Sequence, residues 1–336
     1  MGKGKTRFAI AGFRHGHIFA LVNALRERDD CEIAAWCEED PETAAGLPEK
    51  HGIRPTHTDF ARMIEETECD VVALGDYYGK RGGLARLAME AGRHVIADKP
   101  LCTRLPEWEA LARLSSTRDL KIGLMLDLRD RGQFHAARRA IADGRLGAVL
   151  AAQFTGQHPL LYGKRPDWYF DPEKHGGVFN DIAVHALDLI PFLTGLKFTG
   201  IDFARAWRGR APHGFPDGAQ CALRLENGAG VLGDVSYFAP DGCGYALPQY
   251  WRVTIWGDGG MLEACVGDGQ ARLADMNGSE IEALPPEPVR QTYLEAFLAE
   301  LRGEAAALDT RQVLAVSRLA LDLQSQADRA GTGGAE

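Results

Sequence analysis

Short apolar runs alternate with helix-like segments through the first part of the chain. The runs are Arg7–Ala11, Glu32–Cys37, Val71–Leu74, His94–Ala97 and Lys121–Leu126. Each run has the length of a buried strand, and the residues between the runs carry helix signals such as Asp40-Pro41-Glu42. Strands that alternate with helices over short connections predict a doubly wound parallel sheet, which we place over residues 5–125.

The second part of the chain, residues 126–329, has a different pattern. Strands separated by turn residues are predicted at Ala148–Thr155, Gly200–Trp207, Ala219–Leu225, Gly230–Tyr237 and Trp251–Trp256. One strongly apolar helix is predicted over Asp181–Leu193, and two amphipathic helices follow near the end. This pattern predicts an α+β domain with a large, mostly antiparallel sheet.

Charge and cysteine content narrow the class of protein. Lys plus Arg number 38 and Asp plus Glu number 47, for a formal net charge of −9. An acidic chain of this kind disfavours nucleic acid and anionic membranes as partners. The seven cysteines form no C-x-x-C pair, and we expect neither a secretory signal nor a membrane-spanning run. The sequence predicts a cytoplasmic protein with reduced thiols.

The turn after the first strand is a candidate phosphate-binding site. A strand that ends at Gly12 and leads into a helix offers free backbone N–H groups to a dinucleotide pyrophosphate. The G-x-G-x-x-G positions are nevertheless occupied by Gly12, Arg14 and His17, so the fingerprint is broken. Arg14 could contact phosphate directly, or the loop could be a solvated one. The His15/His17 pair could suggest a metal, but no carboxylate is expected nearby, and we therefore expect no metal there.

Two further positions fit a dinucleotide site. Glu38 follows the second strand, 26 residues after Gly12, where an acidic side chain binds the ribose 2′-hydroxyl, and this favours NAD over NADP. Capping of the next helix is the alternative for the acidic residues there. Lys99, in Asp98-Lys99-Pro100, follows the fourth strand and lies where ligands bind in such sheets, with a surface ion pair as its alternative.

The apolar helix over Asp181–Leu193 carries the strongest catalytic signal. Asp181, His185 and Asp188 are its polar exceptions, and at about 100° per residue they fall within roughly 60° of one another. Such a buried polar stripe needs specific partners. Core hydrogen bonds or a metal would satisfy it, but a histidine acid/base with an orienting carboxylate fits best.

Taken together, these residues resemble the glucose–fructose oxidoreductase / inositol dehydrogenase / MocA (Gfo/Idh/MocA) family over nearly the whole chain. The matching landmarks are Gly12, Glu38, Ala91-Gly92-Arg93-His94-Val95, Asp98-Lys99-Pro100-Leu101, Arg129, Gly144-Arg145-Leu146-Gly147 and Asp181-x-x-x-His185-x-x-Asp188. The fold that this resemblance implies is α/β, with an N-terminal Rossmann-type domain and a C-terminal α+β domain that binds substrate and oligomerises.

The resemblance implies Lys99, Asp181 and His185 as the catalytic set. It implies cofactor contacts from Gly12, Phe13, Arg14, His15, Glu38, Asp76, Tyr77 and Lys99. Substrate contacts are expected from Arg129, His158, Tyr162, Arg165, Trp168, Asp181 and His185. The loop Gly75–Arg81 departs from the family pattern, with Arg81 where the family commonly has a histidine, and this puts cofactor contacts there in doubt. Residues 162–169 could alternatively be an ordinary surface loop.

The expected activity is reversible hydride transfer between NAD(P) and a secondary alcohol of a sugar, cyclitol or related polyol. A redox-neutral lyase or glycosidase that works through a transient keto-sugar is one alternative. A non-catalytic sugar-sensing regulator on the same fold is another, because fold does not fix function. We expect a homodimer or homotetramer that forms through the second domain.

Overall fold

The structure is a computed structural model that describes residues 4–212 and 214–332, the side chains of residues 331 and 332 excepted. Its strands are β1 (Thr6–Ala11), β2 (Cys31–Cys37), β3 (Val71–Leu74), β4 (His94–Ala97), β5 (Ile122–Leu124), β6 (Val149–Pro159), β7 (Phe198–Trp207), β8 (Gly218–Leu225), β9 (Gly230–Ala239), β10 (Arg252–Gly257), β11 (Gly260–Cys265), β12 (Ala271–Asp275) and β13 (Ile281–Leu284). These strands form two separate sheets.

The helices complete the element order. They are α1 (Ile18–Arg26), α2 (Pro41–His51), α3 (Phe60–Glu66), α4 (Tyr78–Glu90), α5 (Leu105–Arg118), α6 (Gly132–Ala142), α7 (Pro172–His175), α8 (Val184–Thr194), α9 (Tyr293–Leu301) and α10 (Thr310–Thr332). A π-helical turn, Phe179–Ala183, runs directly into α8. Helix α4 begins at Tyr78, and its first two turns contain three glycines.

The first compact unit contains the described residues up to Met125 together with Glu173–Gly176 and Tyr293–Ser317. Its sheet is entirely parallel, in the order β2-β1-β3-β4-β5. The segment Tyr293–Ser317 belongs to this unit because α9 packs on the sheet, where a Cβ on Gly123 of β5 would lie 2.7 Å from the Phe297 ring. The sequence predicted two contiguous domains, residues 5–125 and 126–329. The structure differs from that prediction because Glu173–Gly176 and Tyr293–Ser317 belong to the first unit.

The second compact unit contains Leu126–Pro172, Gly177–Thr292 and the chain from Arg318 onward. Its eight strands run in the order β13-β12-β11-β10-β6-β9-β8-β7, and every neighbouring pair is antiparallel except β6 and β9. The predicted fold class, a parallel Rossmann sheet plus a mostly antiparallel sheet, is confirmed. Strands β11, β12 and β13 were missed in the sequence.

One helical stretch, Pro172–Thr194, is long and apolar enough to cross a membrane by length and composition alone. The sequence had predicted no run of this kind. Within the stretch, 83% of the apolar window is buried among the protein's own residues. Core packing therefore accounts for its apolar character.

Candidate active site

The turn after β1 is built around Gly12. Its φ of +78° is a conformation that side-chain-bearing residues rarely adopt, and a Cβ there would lie 2.5 Å from the backbone nitrogen of Asp76. The backbone N–H of His15 donates to the carbonyl of Gly75 (3.0 Å), which fixes the loop to the end of β3. The turn therefore has the close approach and the following helix that a dinucleotide phosphate site requires.

Glu38 lies at the end of β2 and is buried beside this turn. One carboxylate oxygen accepts from the backbone N–H of Phe13 (2.7 Å) and the other from that of Asp40 (2.8 Å). Burial raises the pKa of Glu38, although these backbone donors oppose the effect. Glu38 is thus bound to the loop backbone, and each carboxylate oxygen retains a second lone pair for a ligand hydroxyl.

The other expected cofactor residues of the loops meet at the same sheet edge. Arg14 pairs with Asp40 (2.6 Å), and its guanidinium lies 5.7 Å from the ring centroid of Tyr77. Asp76 is buried and accepts from Lys80 (2.8 Å). The structure therefore brings Arg14, Asp76 and Tyr77 together beside Gly12, in positions that fit a bound dinucleotide.

Lys99 and Asp98 follow β4 and are both buried. The Lys99 ammonium lies 5.8 Å from the ring centroid of Tyr78, and the Lys99–Pro100 peptide bond is cis. Arg81 is fully buried, donates to Asp98 Oδ2 (3.0 Å) and to the carbonyls of Asp98 and Lys99, and thereby ties α4 to the end of β4. The residue that made this loop depart from the family pattern thus supports the strand end that carries Lys99.

His15 joins this network through both ring nitrogens. Nδ1 is hydrogen-bonded to Asp98 Oδ2, and Nε2 lies 3.1 Å from the hydroxyl of Tyr78. Burial lowers the pKa of His15 to about 4, despite the attraction of Asp98. Burial alone would raise the pKa of Asp98, but Arg81 and His15 outweigh it and hold that pKa well below its usual range.

The expectation that no carboxylate is near the His15/His17 pair is wrong. His17 Nδ1 lies 3.5 Å from Asp98 Oδ1, and ligand atoms of His15, His17 and Asp98 all lie within 4.8 Å of one another. Asp98 is 83 residues from His15 in sequence, so spacing alone gave no signal of this group.

In the second unit, Asp181 lies in the π-helical turn and is buried. Its Oδ2 accepts hydrogen bonds from the hydroxyls of Tyr169 (2.5 Å) and Tyr237. Burial and the charge of Asp181 raise the pKa of Tyr169 well above its usual range, so Tyr169 remains a donor. Two phenols thus fix the orientation of the carboxylate.

His185 and His158 lie among aromatic rings in the same unit. The ring of His185 is edge-on to Trp251, with centroids 5.3 Å apart, and its Nδ1 is 3.8 Å from Asp127 Oδ1. The ring of His158 contacts Trp251 (5.7 Å) and Tyr250 (4.9 Å) edge-on. The Trp251 ring therefore contacts both imidazole rings.

The remaining expected substrate residues divide into two groups. Arg165 stacks over Tyr169, with its guanidinium 4.3 Å from the ring centroid, and donates to Tyr245 (3.3 Å). Trp168 is buried against Tyr169 (5.4 Å), whereas Tyr162 is about half exposed. The structure thus places Arg165 and Trp168 next to the residue that binds Asp181, and Tyr162 farther out.

Arg129 has a protein partner that the sequence did not indicate. Its Nε and Nη2 donate to the two oxygens of Asp188, each at 2.5 Å, and both residues are buried. Burial raises the pKa of Asp188, and Arg129 opposes that effect. Asp181, His185 and Asp188 thus have three different sets of partners: two tyrosine hydroxyls, Asp127 with the Trp251 ring, and Arg129.

Several residues of the candidate site carry no sequence signal. Besides Tyr78 and Arg81, these are Asp127, Tyr237, Tyr245, Tyr250 and Trp251. Tyr237 lies on β9, and the other three aromatic residues lie on or between short 3-10 turns and strands, where no local motif marks them. Only their contacts in the folded chain identify them.

Comparison with known proteins places the chain in a family. Residues 6–125 match the oxidoreductase family model with an NAD-binding Rossmann fold, and residues 134–263 match the GFO/IDH/MocA C-terminal domain. The 1,5-anhydro-D-fructose reductase of Ensifer adhaerens is 26% identical over 211 residues, 62% of this chain and 62% of that protein. The D-apiose dehydrogenase of Paraburkholderia graminis is 25% identical over 225 residues, 64% of this chain and 56% of that protein.

These two relatives are therefore matched over about three fifths of their own length. Among solved structures, an inositol dehydrogenase homolog from Azotobacter vinelandii complexed with NAD+ superimposes with a TM-score of 0.78 at 21% identity, over 97% of this chain and 96% of that one. At that identity the superposition shows the fold alone. The two domain matches and the predicted landmarks agree, and the chain belongs to the Gfo/Idh/MocA family of oxidoreductases, with an NAD-binding Rossmann domain and the family's C-terminal domain.

Proposed function

We propose that the protein is an NAD(H)-dependent dehydrogenase that oxidises, and in reverse forms, a secondary alcohol of a sugar, cyclitol or related polyol. The observation that carries this proposal is the array around the π-helical turn. There a buried carboxylate, Asp181, and a buried imidazole, His185, lie within one aromatic-lined cluster. Aromatic faces and directed hydrogen-bonding groups suit a polyhydroxylated ligand, which presents C–H and O–H groups together.

The nicotinamide ring supplies hydride transfer when the cofactor is bound. His185 accepts the hydroxyl proton of the substrate in oxidation and returns it in reduction, because imidazole titrates near neutral pH. Asp181, held by Tyr169 and Tyr237, orients the substrate. By the family resemblance, Lys99 would supply a positive charge that stabilises the developing alkoxide.

The cofactor proposal is NAD rather than NADP. The acidic run Glu38-Glu39-Asp40 follows β2, and a 2′-phosphate placed near it would face like charge. The named relatives act on 1,5-anhydro-D-fructose and D-apiose, and this supports the sugar class without naming the substrate of this chain.

The test is absorbance at 340 nm with NAD and a panel of aldoses, ketoses and cyclitols, run with the wild type and His185→Ala. We expect one subclass to give steady NADH formation, and the variant to lose about 10²–10⁴-fold in kcat. Retention of more than about a tenth of the rate would contradict the role of His185. Turnover without net change at 340 nm would indicate the redox-neutral alternative, and no turnover with intact ligand binding would indicate a sensor.

A further inference from the structure

His15, His17 and Asp98 form a cluster of metal-ligating side chains that the proposed hydride transfer does not require. Two of them come from the loop before α1 and the third from the end of β4. Their ligand atoms lie within 4.8 Å of one another. Two imidazoles and one carboxylate are the ligands of zinc and iron sites that keep an open coordination position.

One carboxylate oxygen of Asp98 is available to a cation. Asp98 is fully buried, and its Oδ1 makes no hydrogen bond among the described residues. His17 Nδ1 lies 3.5 Å from this oxygen, which is too long for a strong hydrogen bond. Two ligands of a tetrahedral ion with bonds of about 2.0–2.2 Å lie about 3.3–3.6 Å apart, so this separation fits a shared metal.

Two further contacts would orient the ligands around an ion. Arg81 donates to Asp98 Oδ2 (3.0 Å), which leaves Oδ1 directed toward His17. The Tyr78 hydroxyl lies 3.1 Å from His15 Nε2, so this nitrogen keeps a partner when a metal replaces the proton that His15 Nδ1 shares with Asp98 Oδ2. Contacts of this kind fix the ring orientation and tautomer of metal-binding histidines.

The charges that face the cluster determine how tightly it is expected to bind a metal ion. Arg81 and Lys99 are buried cations next to Asp98 and oppose a divalent ion. Much of the Arg81 charge is directed at backbone carbonyls, including that of Asp76 (2.7 Å). We therefore expect binding weaker than at a closed four-ligand zinc site. We propose that His15, His17 and Asp98 bind one first-row divalent cation, such as Zn²⁺ or Co²⁺, with at least one coordination position open to a water or ligand oxygen.

The test is a titration of the untagged wild-type protein with Co²⁺, followed by its visible absorption bands, together with equilibrium dialysis against Zn²⁺. No dinucleotide is present, so the result does not depend on the proposed dehydrogenase activity. We expect one equivalent of metal per chain. His17→Ala should weaken binding at least about tenfold, and it should fold normally because the side chain of His17 is 54% exposed.

A matched control is His57→Ala. His57 Nε2 lies 3.3 Å from Glu66 Oε2, a similar histidine–carboxylate pair that belongs to no three-ligand group in the described part of the chain. Its substitution should leave metal binding unchanged. The inference is overturned if the wild type binds neither ion, or if His17→Ala binds as tightly as the wild type. Equal losses in both variants would likewise indicate unspecific surface binding and contradict it.

Discussion

Replacement of Arg129 by methionine separates a structural role of this residue from the substrate role expected from the sequence. Arg129 donates to both oxygens of Asp188 at 2.5 Å, and Asp188 on α8 is only 1% exposed. Methionine keeps much of the side-chain length but removes the charge. Asp188 is then a buried carboxyl without its guanidinium, and it takes up a proton rather than remain charged.

The magnitude follows from that proton. An unfolded Asp titrates near pH 3.9, and protonation costs about 1.36 kcal/mol for each pH unit above that value, or about 4 kcal/mol at pH 7. This agrees with the roughly 3–5 kcal/mol seen when one partner of a buried pair is removed. The pKa of Asp188 in the folded variant then lies above its unfolded value. The free-energy cost of keeping the proton is therefore absent below the unfolded pKa and grows as the pH rises. The destabilisation should therefore shrink to about 1.5 kcal/mol at pH 5.

The assay is urea unfolding followed by circular dichroism at pH 7 and pH 5. The double variant Arg129→Met/Asp188→Leu serves as the control and should recover most of the lost free energy of unfolding, because no charge remains buried. An Arg129→Met protein of unchanged stability and abolished activity would refute the reasoning and return Arg129 to the substrate site.

Three further predictions concern the cofactor turn and the sheet surface. Gly12→Ala should weaken NADH binding at least about tenfold, because its Cβ would overlap Asp76. Gly52 has a similar positive φ but open space around it, so the control variant Gly52→Ala should bind NADH normally in the same titration. Glu38→Gln leaves one buried backbone N–H without a good acceptor and should lower the free energy of unfolding by about 1–3 kcal/mol in urea denaturation. We propose that a dimer or tetramer forms through the exposed sheet face around Leu232, which is 59% exposed. Leu232→Glu should then give a monomer mass by light scattering. A monomeric wild type would contradict the proposal.

The parallel sheet was predictable because each of its strands is a short, nearly continuous apolar run between helix signals. β3 (Val71–Leu74), for example, is buried at every position. Strands β12 and β13 were not predictable in the same way. β13 (Ile281–Leu284) is exposed at three of its four residues, so its apolar pattern is too weak to distinguish it from a loop.

The candidate site likewise contains residues that local motifs predict and residues that only the folded chain brings together. Lys99, Asp181 and His185 were predicted from the sequence because they lie in local motifs. The partners Tyr237 and Trp251 are 56 and 66 residues from Asp181 and His185, and only the sheet topology brings them there. The π-helical turn was missed as well, since apolar spacing over five residues does not distinguish it from an α-helix.

The central claim, a dinucleotide-dependent oxidoreductase, is tested most directly by titration of the purified protein with NADH and with NADPH, followed by tryptophan fluorescence. Trp36 reports on the site because its ring lies 6.1 Å from that of Phe13 in the cofactor turn. Absorbance ratios should first exclude cofactor carried through purification. We predict saturable micromolar binding of NADH and weaker binding of NADPH. Binding of neither, with no cofactor carried through, would contradict the account.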